Sequence, residues 1–520
     1  MKFKLSPDNS KLILTESTQG EYNQLKLYLT RKVHNYRFMK RYRLGVWSGD
    51  ISYFGNPPGY IEFGLWGEVY KCCKEYGYKF IIENQEQFPR NKDITREQIQ
   101  EFVEDFYKDH KTTSGSSFIP YEHQVDAIFQ ILKHQFGIVE IATAGGKSLV
   151  FGTLLFYYLK YINSDAKFLL IVPSISLVTQ FYNDLNDYNY GFNSDNKTPM
   201  DIRIDEVMSD KPRKYREEEK KPNIYIGTYQ SLEKYPKEWF TKFNVVTVDE
   251  AQSAKAQSLI TILTKTFGSA LIRFGMSGTY PSDSSVEILT IQSLLGPKLI
   301  NISAKKLIDK GLISDLKIKA ILLHHDNRSF AEGVFKIRKT DGQRSWILER
   351  EFIHNSSKRK IFVKNLVDKF KQNSLLLFHT ITYGTEIYNY IKDNSIGKDV
   401  YYIDGSTSGE KREYIKKQME DTSGNPKILI ASYGTLSTGV SIKSITNIVF
   451  LDSFSSYRIV VQSIGRGLRL HKEKNKLMVF DLVDIFHADF KTILWRQYDK
   501  RRKEIYDILK YTVDELKVKL

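Results

Sequence analysis

The chain has 520 residues, 41% of them apolar, with 77 Lys and Arg against 61 Asp and Glu, for a net charge of +16. A chain of this length holds roughly three or four domains, and the positive excess favours an anionic partner, nucleic acid first, because a sustained positive field attracts a phosphate backbone. The two cysteines, Cys72 and Cys73, are adjacent, which excludes an ordinary disulfide framework and a four-cysteine zinc site and points to a reducing cytosol. There is no signal-peptide core and no run of about 18 uncharged apolar residues, so a soluble protein without a membrane partner is expected.

Residues 1–107 are aromatic and basic. The stretch Arg31 to Arg43, "RKVHNYRFMKRYR", carries six Lys/Arg, three aromatics and no acid. Arg37, Lys40, Arg41 and Arg43 are candidates for phosphate contacts. Tyr36, Phe38, Tyr42 and Trp47 either stack on bases or build the core of a small domain, and core is the favoured reading. Thr95 to Tyr107 reads as a capped amphipathic helix with Ile99, Phe102 and Phe106 on one face.

From Tyr121 to Asp481 short Val/Ile/Leu/Phe runs alternate with helical stretches, as strands buried on both faces of a parallel sheet do. The first set is "GIVEIAT", "KFLLIVPS", "IYIGT", "NVVTVDE" and "LIRFGMSGT"; the second is "SLLLFHT", "VYYIDGS", "KILIASYG", "NIVFLDS" and "LMVFDLVD". Ligands of such sheets bind at the carboxyl ends of the strands, so the polar residues after each run are the candidates. The charged run Ser209 to Asn223 reads as a mobile surface loop, and Leu494 to Leu520 as a helix packed on the second sheet without catalytic residues.

Three constellations carry chemistry. "IATAGGKS" (Ile141 to Ser148) follows a strand and opens a helix, the context of a phosphate loop, in which backbone N–H groups surround anionic oxygens, a lysine adds charge and a hydroxyl binds magnesium. Asp249 and Glu250 end another strand; adjacent carboxylates repel unless a cation or a protonated partner sits there, and magnesium on one, with general-base work for the other, is the economical solution. In "QSIGRGLRLH", Arg466 and Arg469 are three residues apart and would share a helix face, suited to neutralising a transferring phosphoryl group.

In this order the motifs resemble those of superfamily 2 helicases. The resemblance implies an α/β fold of two tandem RecA-like parallel-sheet domains preceded by a small α+β domain. The expected limits are a basic, aromatic DNA-binding domain at 1–107, ATP-binding RecA-like domain 1 at 108–313, RecA-like domain 2 at 314–487 and a helical extension at 488–520. "PYEHQ" resembles the motif that recognises adenine, implying that role for Gln124. Thr143, Ala144, Gly145, Gly146, Lys147, Ser148 and Gly439 are implied nucleotide contacts, with Asp249 and Ser148 on Mg2+ and Glu250 the base. Gln462, Arg466 and Arg469 are the implied catalytic residues of the last motif. "SGT" (Ser277 to Thr279) resembles the motif that couples nucleotide state to movement. Pro173, Ser174, Thr228, Gln230, His379, Thr380, Ser432 and Tyr433 fall in motifs that line the nucleic-acid groove. Two positions depart from the pattern: Ala144 stands where glycine is common, and Ser441 follows Gly439-Val440 where an acidic or amide residue is frequent.

The segments "YRFMKRYRLGVWSGDISYF" and "GLWGEVYKCCKEYGYKFIIE" resemble the N-terminal domain of phage recombination helicases. This implies an ATP- and Mg2+-dependent DNA helicase acting on branched DNA in phage recombination, repair and replication, by fork regression, Holliday-junction branch migration and R-loop unwinding. Its implied partners are branched or duplex DNA or an RNA–DNA hybrid, in the host cytoplasm; the sequence identifies no recombination or single-strand-binding protein partner. An RNA helicase and a duplex-DNA translocase of restriction type remain alternatives. Outside the enzyme class stands a nucleic-acid-binding scaffold with a degenerate nucleotide site, against which Glu250, Gln462, Arg466 and Arg469 argue.

Overall fold

A computed structural model describes residues 1–33, 35–55, 59–88, 91–108, 110–111, 118–190, 200–207, 221–253, 257–280, 286–437, 442–471, 474 and 476–520, with the backbone alone at 190, 436 and 437. The chain forms two compact units, 1–141 with 146–302, and 142–145 with 303–520.

The first unit holds a seven-stranded, all-parallel sheet in the order Lys298–Ile302, Phe136–Ile141, Ile272–Ser277, Val245–Asp249, Phe168–Val172, Ile224–Thr228 and Ile204–Val207. Its central strands are apolar throughout because helices cover both faces: every residue of Phe168–Val172, Ile224–Thr228 and Val245–Asp249 is buried. The two edge strands are the ones without a clear sequence signature. Ile204–Val207 reads "IDEV" and only Val207 is buried, since an edge strand needs no continuous apolar run.

The N-terminal sheet has the order Tyr60–Glu62, Lys11–Glu16, Lys2–Leu5 and Ile81–Ile82. It belongs to the same unit as the first parallel sheet and packs against it. The Phe63 ring lies 5.4 Å from that of Phe136, and Gly64 approaches the helix Val286–Leu295 so closely that a Cβ would stand 2.0 Å from the Gln292 carbonyl oxygen. The Tyr53 hydroxyl donates to the Val286 carbonyl at 2.7 Å. The expected helix is present as Arg96–Tyr107, with Thr95 and Gln98 forming a capping box and Ile99, Phe102 and Phe106 buried. Each of these apolar side chains contributes roughly 1.5–3 kcal/mol by burial. Phe102 packs edge-on against Tyr157, and the Tyr107 hydroxyl meets that of Thr153 at 2.8 Å, fastening the helix to the phosphate-loop helix Lys147–Tyr161.

The second unit holds another seven-stranded parallel sheet, ordered Asp399–Ile403, Lys427–Ser432, Ser374–Phe378, Asn447–Phe450, Lys476–Ile485, Asp315–His324 and Val513–Lys519. Its long segment runs from residue 303 to 520. Ser314 is already tied to this unit, its N–H donating to the Leu468 carbonyl at 2.8 Å. The C-terminal segment is only partly helical: Ile493–Arg501 is a helix, but Val513–Lys519 adds the last edge strand, pairing in parallel with Asp315–His324. Its sequence, "VDELKVK", is largely exposed and lacks the apolar run by which interior strands were recognised. Residues 208–220 of the charged run lie outside the described residues. Among the described residues no helix is long and apolar enough to cross a membrane.

Candidate nucleotide site and nucleic-acid interface

The strand Phe136–Ile141 runs into residues 142–146, and a helix starts at Lys147. The Gly145 N–H closes the turn on the Ala142 carbonyl at 2.9 Å. Ala144 and Gly146 both take left-handed backbone, with φ of 72° and 81°. Ala144 therefore carries the strain that makes glycine common at this position, about 1–2 kcal/mol for an L-residue. Gly146 has no such freedom to vary: a Cβ there would lie 2.1 Å from Gln124 Nε2. Gln124 is buried, donates from Nε2 to the Gly146 carbonyl at 3.3 Å, and accepts the Tyr121 N–H at 2.7 Å. The start of the following helix offers N–H groups and a partial positive charge to an anion.

The acidic pair sits on the same sheet. Asp249 ends the interior strand Val245–Asp249 and is buried; Glu250 leaves it with φ of 53°. Lys147 Nζ lies 3.5 Å from Glu250 Oε1. The Gln252 amide donates to the other Glu250 oxygen, and the Ser277 hydroxyl donates to Gln252 Oε1 at 2.5 Å. Ser277 Oγ in turn accepts the Thr279 N–H at 3.2 Å. A polar chain thus links the lysine, Glu250 and the "SGT" turn. Gln252 is a functional residue that the sequence does not announce, since its contact to Ser277 across 25 positions has no local signal.

Asp249 differs from its neighbours. Its buried Oδ1 has no hydrogen-bond partner. Burial pushes its carboxyl up to about 6, with Lys147 pulling down and Glu250 adding to the rise. A hard cation restores the balance such a carboxylate lacks, and Mg2+ typically takes one or two protein oxygens, leaving the rest to phosphate and water. The residues fit that ion: Asp249 offers an orphaned oxygen and Ser148 a hydroxyl. Ser148 Oγ stands 3.0 Å from the Tyr188 hydroxyl, a contact without any motif to announce it. Among the described residues there is no cluster of three or more His, Cys, Asp or Glu able to hold a metal alone.

The groove candidates of the first unit share one sheet edge. Pro173 and Ser174 follow Phe168–Val172, Thr228 and Gln230 follow the adjacent strand Ile224–Thr228, and Val172 pairs with Thr228. Gln230 is exposed and Ser174 half-buried. Thr228 is instead a buried helix cap whose Oγ1 accepts the Ser231 N–H at 3.3 Å, so its side chain faces inward. Arg37, Lys40, Arg41 and Arg43 are all exposed. None of the four aromatics belongs to the core of the N-terminal sheet: Tyr36, Tyr42 and Trp47 are half-buried outside it and Phe38 is exposed.

In the second unit Phe378 pairs with Ser432, placing His379-Thr380 beside Ser432-Tyr433. The His379 N–H donates to Asp452 Oδ2 at 2.6 Å, and Arg350 donates to the Thr380 hydroxyl. Burial, then the Arg350 charge, lowers the His379 pKa. Ser432 is half-buried and hydrogen-bonded to Thr435 at 2.6 Å. Tyr433 does not present its side chain to a ligand: it is buried, its ring 4.1 Å from that of Phe454 and its hydroxyl donating to the Asp452 carbonyl. Gly439 and Ser441 lie outside the described residues.

Gln462 and Arg466 lie on the helix Tyr457–Gly467, Gln462 buried and Arg466 half-buried. Arg469 lies beyond the helix end, whose cap is Leu468, so the expected shared helix face is not formed. Ser314 explains the departure, its N–H and hydroxyl donating to the Leu468 and Arg469 carbonyls at 2.8 and 3.3 Å and drawing the chain away from the helix axis.

Three family profiles match the chain: DNA helicase UvsW, N-terminal, over residues 2–83; DEAD/DEAH box helicase over 121–287; and helicase conserved C-terminal domain over 357–471. The sequence is 31% identical over 470 residues to the ATP-dependent DNA helicase uvsW of Enterobacteria phage T4, spanning 90% of this chain and 87% of that one. It is 22% identical to the DNA 3'-5' translocase XPB2 of Sulfurisphaera tokodaii over 74% of this chain and 84% of that one. Among solved structures, the ATP-dependent Type ISP restriction-modification enzyme LlaBIII bound to DNA aligns with 87% of this chain and 36% of its own, at a TM-score of 0.54 and 12% identity, a likeness of fold alone.

Proposed function

The chain belongs to the UvsW family of ATP-dependent DNA helicases within superfamily 2, and from that premise we propose that it remodels branched DNA, by fork regression, Holliday-junction branch migration and R-loop unwinding, in phage recombination, repair and replication. The observation that carries the site is the orphaned Asp249 carboxylate beside the Lys147–Glu250 pair, at the edge from which the left-handed phosphate loop also starts.

The residue roles follow from this chemistry. Gln124 reads adenine while holding the Gly146 carbonyl, and Thr143, Ala144, Gly145 and Gly146 wrap backbone around the phosphates. Lys147 turns from Glu250 to the phosphate oxygens, leaving Glu250, steadied by Gln252, to orient and deprotonate the attacking water. Ser148 and Asp249 would hold a magnesium ion, which would supply charge neutralisation on the phosphate oxygens. Gln462, Arg466 and Arg469 are assigned to the charge that develops on the transferring phosphoryl group, and Gly439 to the nucleotide. Pro173, Ser174, Gln230, His379, Thr380 and Ser432 are assigned to the DNA backbone, with Arg37, Lys40, Arg41 and Arg43 adding phosphate contacts from the N-terminal region. The chain would work in the cytoplasm, of the bacterial host where it is phage-encoded.

The test is ATP hydrolysis in the presence of a four-way junction, a fork, an R-loop, linear duplex and single-stranded RNA. The branched substrates are expected to stimulate most, and Lys147→Ala to lower every rate about 100- to 1,000-fold while thermal unfolding is unchanged. Strongest stimulation by RNA would favour an RNA helicase, by linear duplex a simple translocase, and a variant as fast as the wild type would remove the site assignment.

A further inference from the structure

The basic segment of the N-terminal region sorts its large side chains into two groups that composition does not separate. Tyr36 and Tyr42 meet edge to face at 4.8 Å. Tyr36 also covers Gly49, where a Cβ would stand 2.3 Å from its ring. Trp47 donates its indole N–H to the Asp50 carbonyl at 2.8 Å. These three hold the segment together. Phe38, Met39, Leu44 and Val46 point outward instead, 72%, 41%, 63% and 67% exposed, around the short helical turns Tyr36–Phe38 and Lys40–Arg43.

Four large apolar side chains left in water within so short a stretch mark a surface that a partner covers. The charge around them identifies its chemistry. Arg37, Lys40, Arg41 and Arg43 are exposed, and no acidic residue occurs from Arg31 to Gly49, so the partner is a polyanion with an apolar interior to offer. DNA has both, phosphates outside and base faces within.

The segment is also mounted on the motor. It is carried between the paired strands Thr30–Lys32 and Asp50–Ser52, closed at their base by Lys32 Nζ at 2.9 Å from Asp50 Oδ2. The next residue, Tyr53, donates to the Val286 carbonyl and meets the Thr290 hydroxyl at 2.6 Å, on a helix of the first parallel sheet's layer. Force on that layer is therefore delivered to the segment.

Resting on the branched-DNA reading, we infer that residues 36–46 are a wedge that recognises the branch point. The four cations hold phosphates without regard to sequence or shape, while Phe38, supported by Leu44 and Val46, lies against the last base pair of an arm. Inserting an apolar side chain into closed duplex requires unstacking a base step. At a branch that step is already open, so the same contact favours branched over linear DNA. The wedge is thus a specificity element, distinct from the phosphate contacts that give general affinity.

The experiment uses the full chain and measures affinity for a fork and for a linear duplex of equal length, with 2-aminopurine placed next to the branch. Phe38→Ala combined with Leu44→Ala is expected to lower the fork-to-linear affinity ratio about 10-fold and to abolish the 2-aminopurine signal, while Phe38→Trp keeps both. An unchanged ratio, or an equal fall on both DNAs, overturns the wedge. A lowered unfolding temperature with the ratio retained also overturns it, as a structural role, and so does loss of binding to anionic phospholipid vesicles with DNA affinity untouched. Failure of the underlying reading looks different: the wild-type chain would then show no preference for branched DNA and no stimulation of its ATP hydrolysis by it.

Discussion

Asp249 and Asp484 are both buried carboxylates on strands of seven-stranded parallel sheets, one in each unit, and they are held in opposite states. Burial pushes Asp249 up to about 6, with Glu250 adding to the rise, and one of its oxygens has no hydrogen-bond partner. Burial also opposes ionisation of Asp484, but Arg359 and His325 outweigh it and draw the carboxyl down to about 2. Arg359 forks onto Asp484 with bonds of 2.9 and 3.0 Å, and His325 Nε2 lies 2.9 Å away. Asp481 repeats the pattern with Arg501, at 3.1 and 2.8 Å, and with the Tyr506 hydroxyl. At Asp484 and Asp481 the second unit meets a buried acid with a cation of its own and thereby builds scaffold. The first unit leaves one acid incomplete, which is the electrostatic condition for receiving a cation with a ligand.

The contrast breaks most strongly at Arg359. Arg359→Met would remove the guanidinium donor from the Leu451 carbonyl and the Tyr383 hydroxyl and leave Asp484 with His325 in place of its fork, and a loss of about 3–5 kcal/mol is expected in urea unfolding. A variant within 1 kcal/mol of wild type, by the ordinary scale of surface changes, would show that the pair does not hold the unit together.

The pH dependence sharpens it. Asp249 has a folded pKa near 6, above an unfolded value of about 3.9, so the folded state holds the extra proton between these values. Its ionised form costs stability above pH 6, and that cost is relieved as pH falls toward 4. Asp249→Asn is expected to raise stability by roughly 2 kcal/mol at pH 8 and by little at pH 4. Asp484, depressed to about 2, contributes stability that is full above about pH 4 and is lost as pH falls through 2, so Asp484→Asn costs most near neutrality. Urea titrations of both variants across this range check the signs, and an offset for D249N that does not vary with pH would refute the assignment.

The smallest effect is expected at Ala144, with φ of 72°. Ala144→Gly relieves left-handed strain and gains up to about 1 kcal/mol after the greater freedom of glycine in the unfolded chain is subtracted. A fall in the midpoint of thermal unfolding would show that the loop does not hold this conformation in solution.

Interior strands were legible because a parallel sheet buries both faces, so each strand is a nearly unbroken apolar run with its functional residues at the carboxyl end. Ile204–Val207, Lys298–Ile302 and Val513–Lys519, each at a sheet edge and half in water, were not, because charged or polar residues interrupt their apolar runs; the remaining edge strand, Asp399–Ile403, was legible because "VYYI" keeps such a run. The side-chain directions of Thr228 and Tyr433 were not legible for a related reason: position after a strand says which residues reach the ligand edge, but not which of them turn inward to cap a helix or fill a core. Arg469 left its helix because of a bond to Ser314, 155 positions away.

What the sequence determined by itself was the order of chemical parts: a glycine-rich turn before Lys147-Ser148, paired acids ending a strand, and arginines in the second half. Those are local patterns, set by the backbone freedom of glycine, the alternation of strand and helix, and the valence of each side chain. Only the tertiary structure decided which charges are answered. Lys147 and Glu250 stand 103 positions apart and Arg359 and Asp484 125, and whether a buried carboxylate is matched or left waiting depends on distances that long-range packing alone sets.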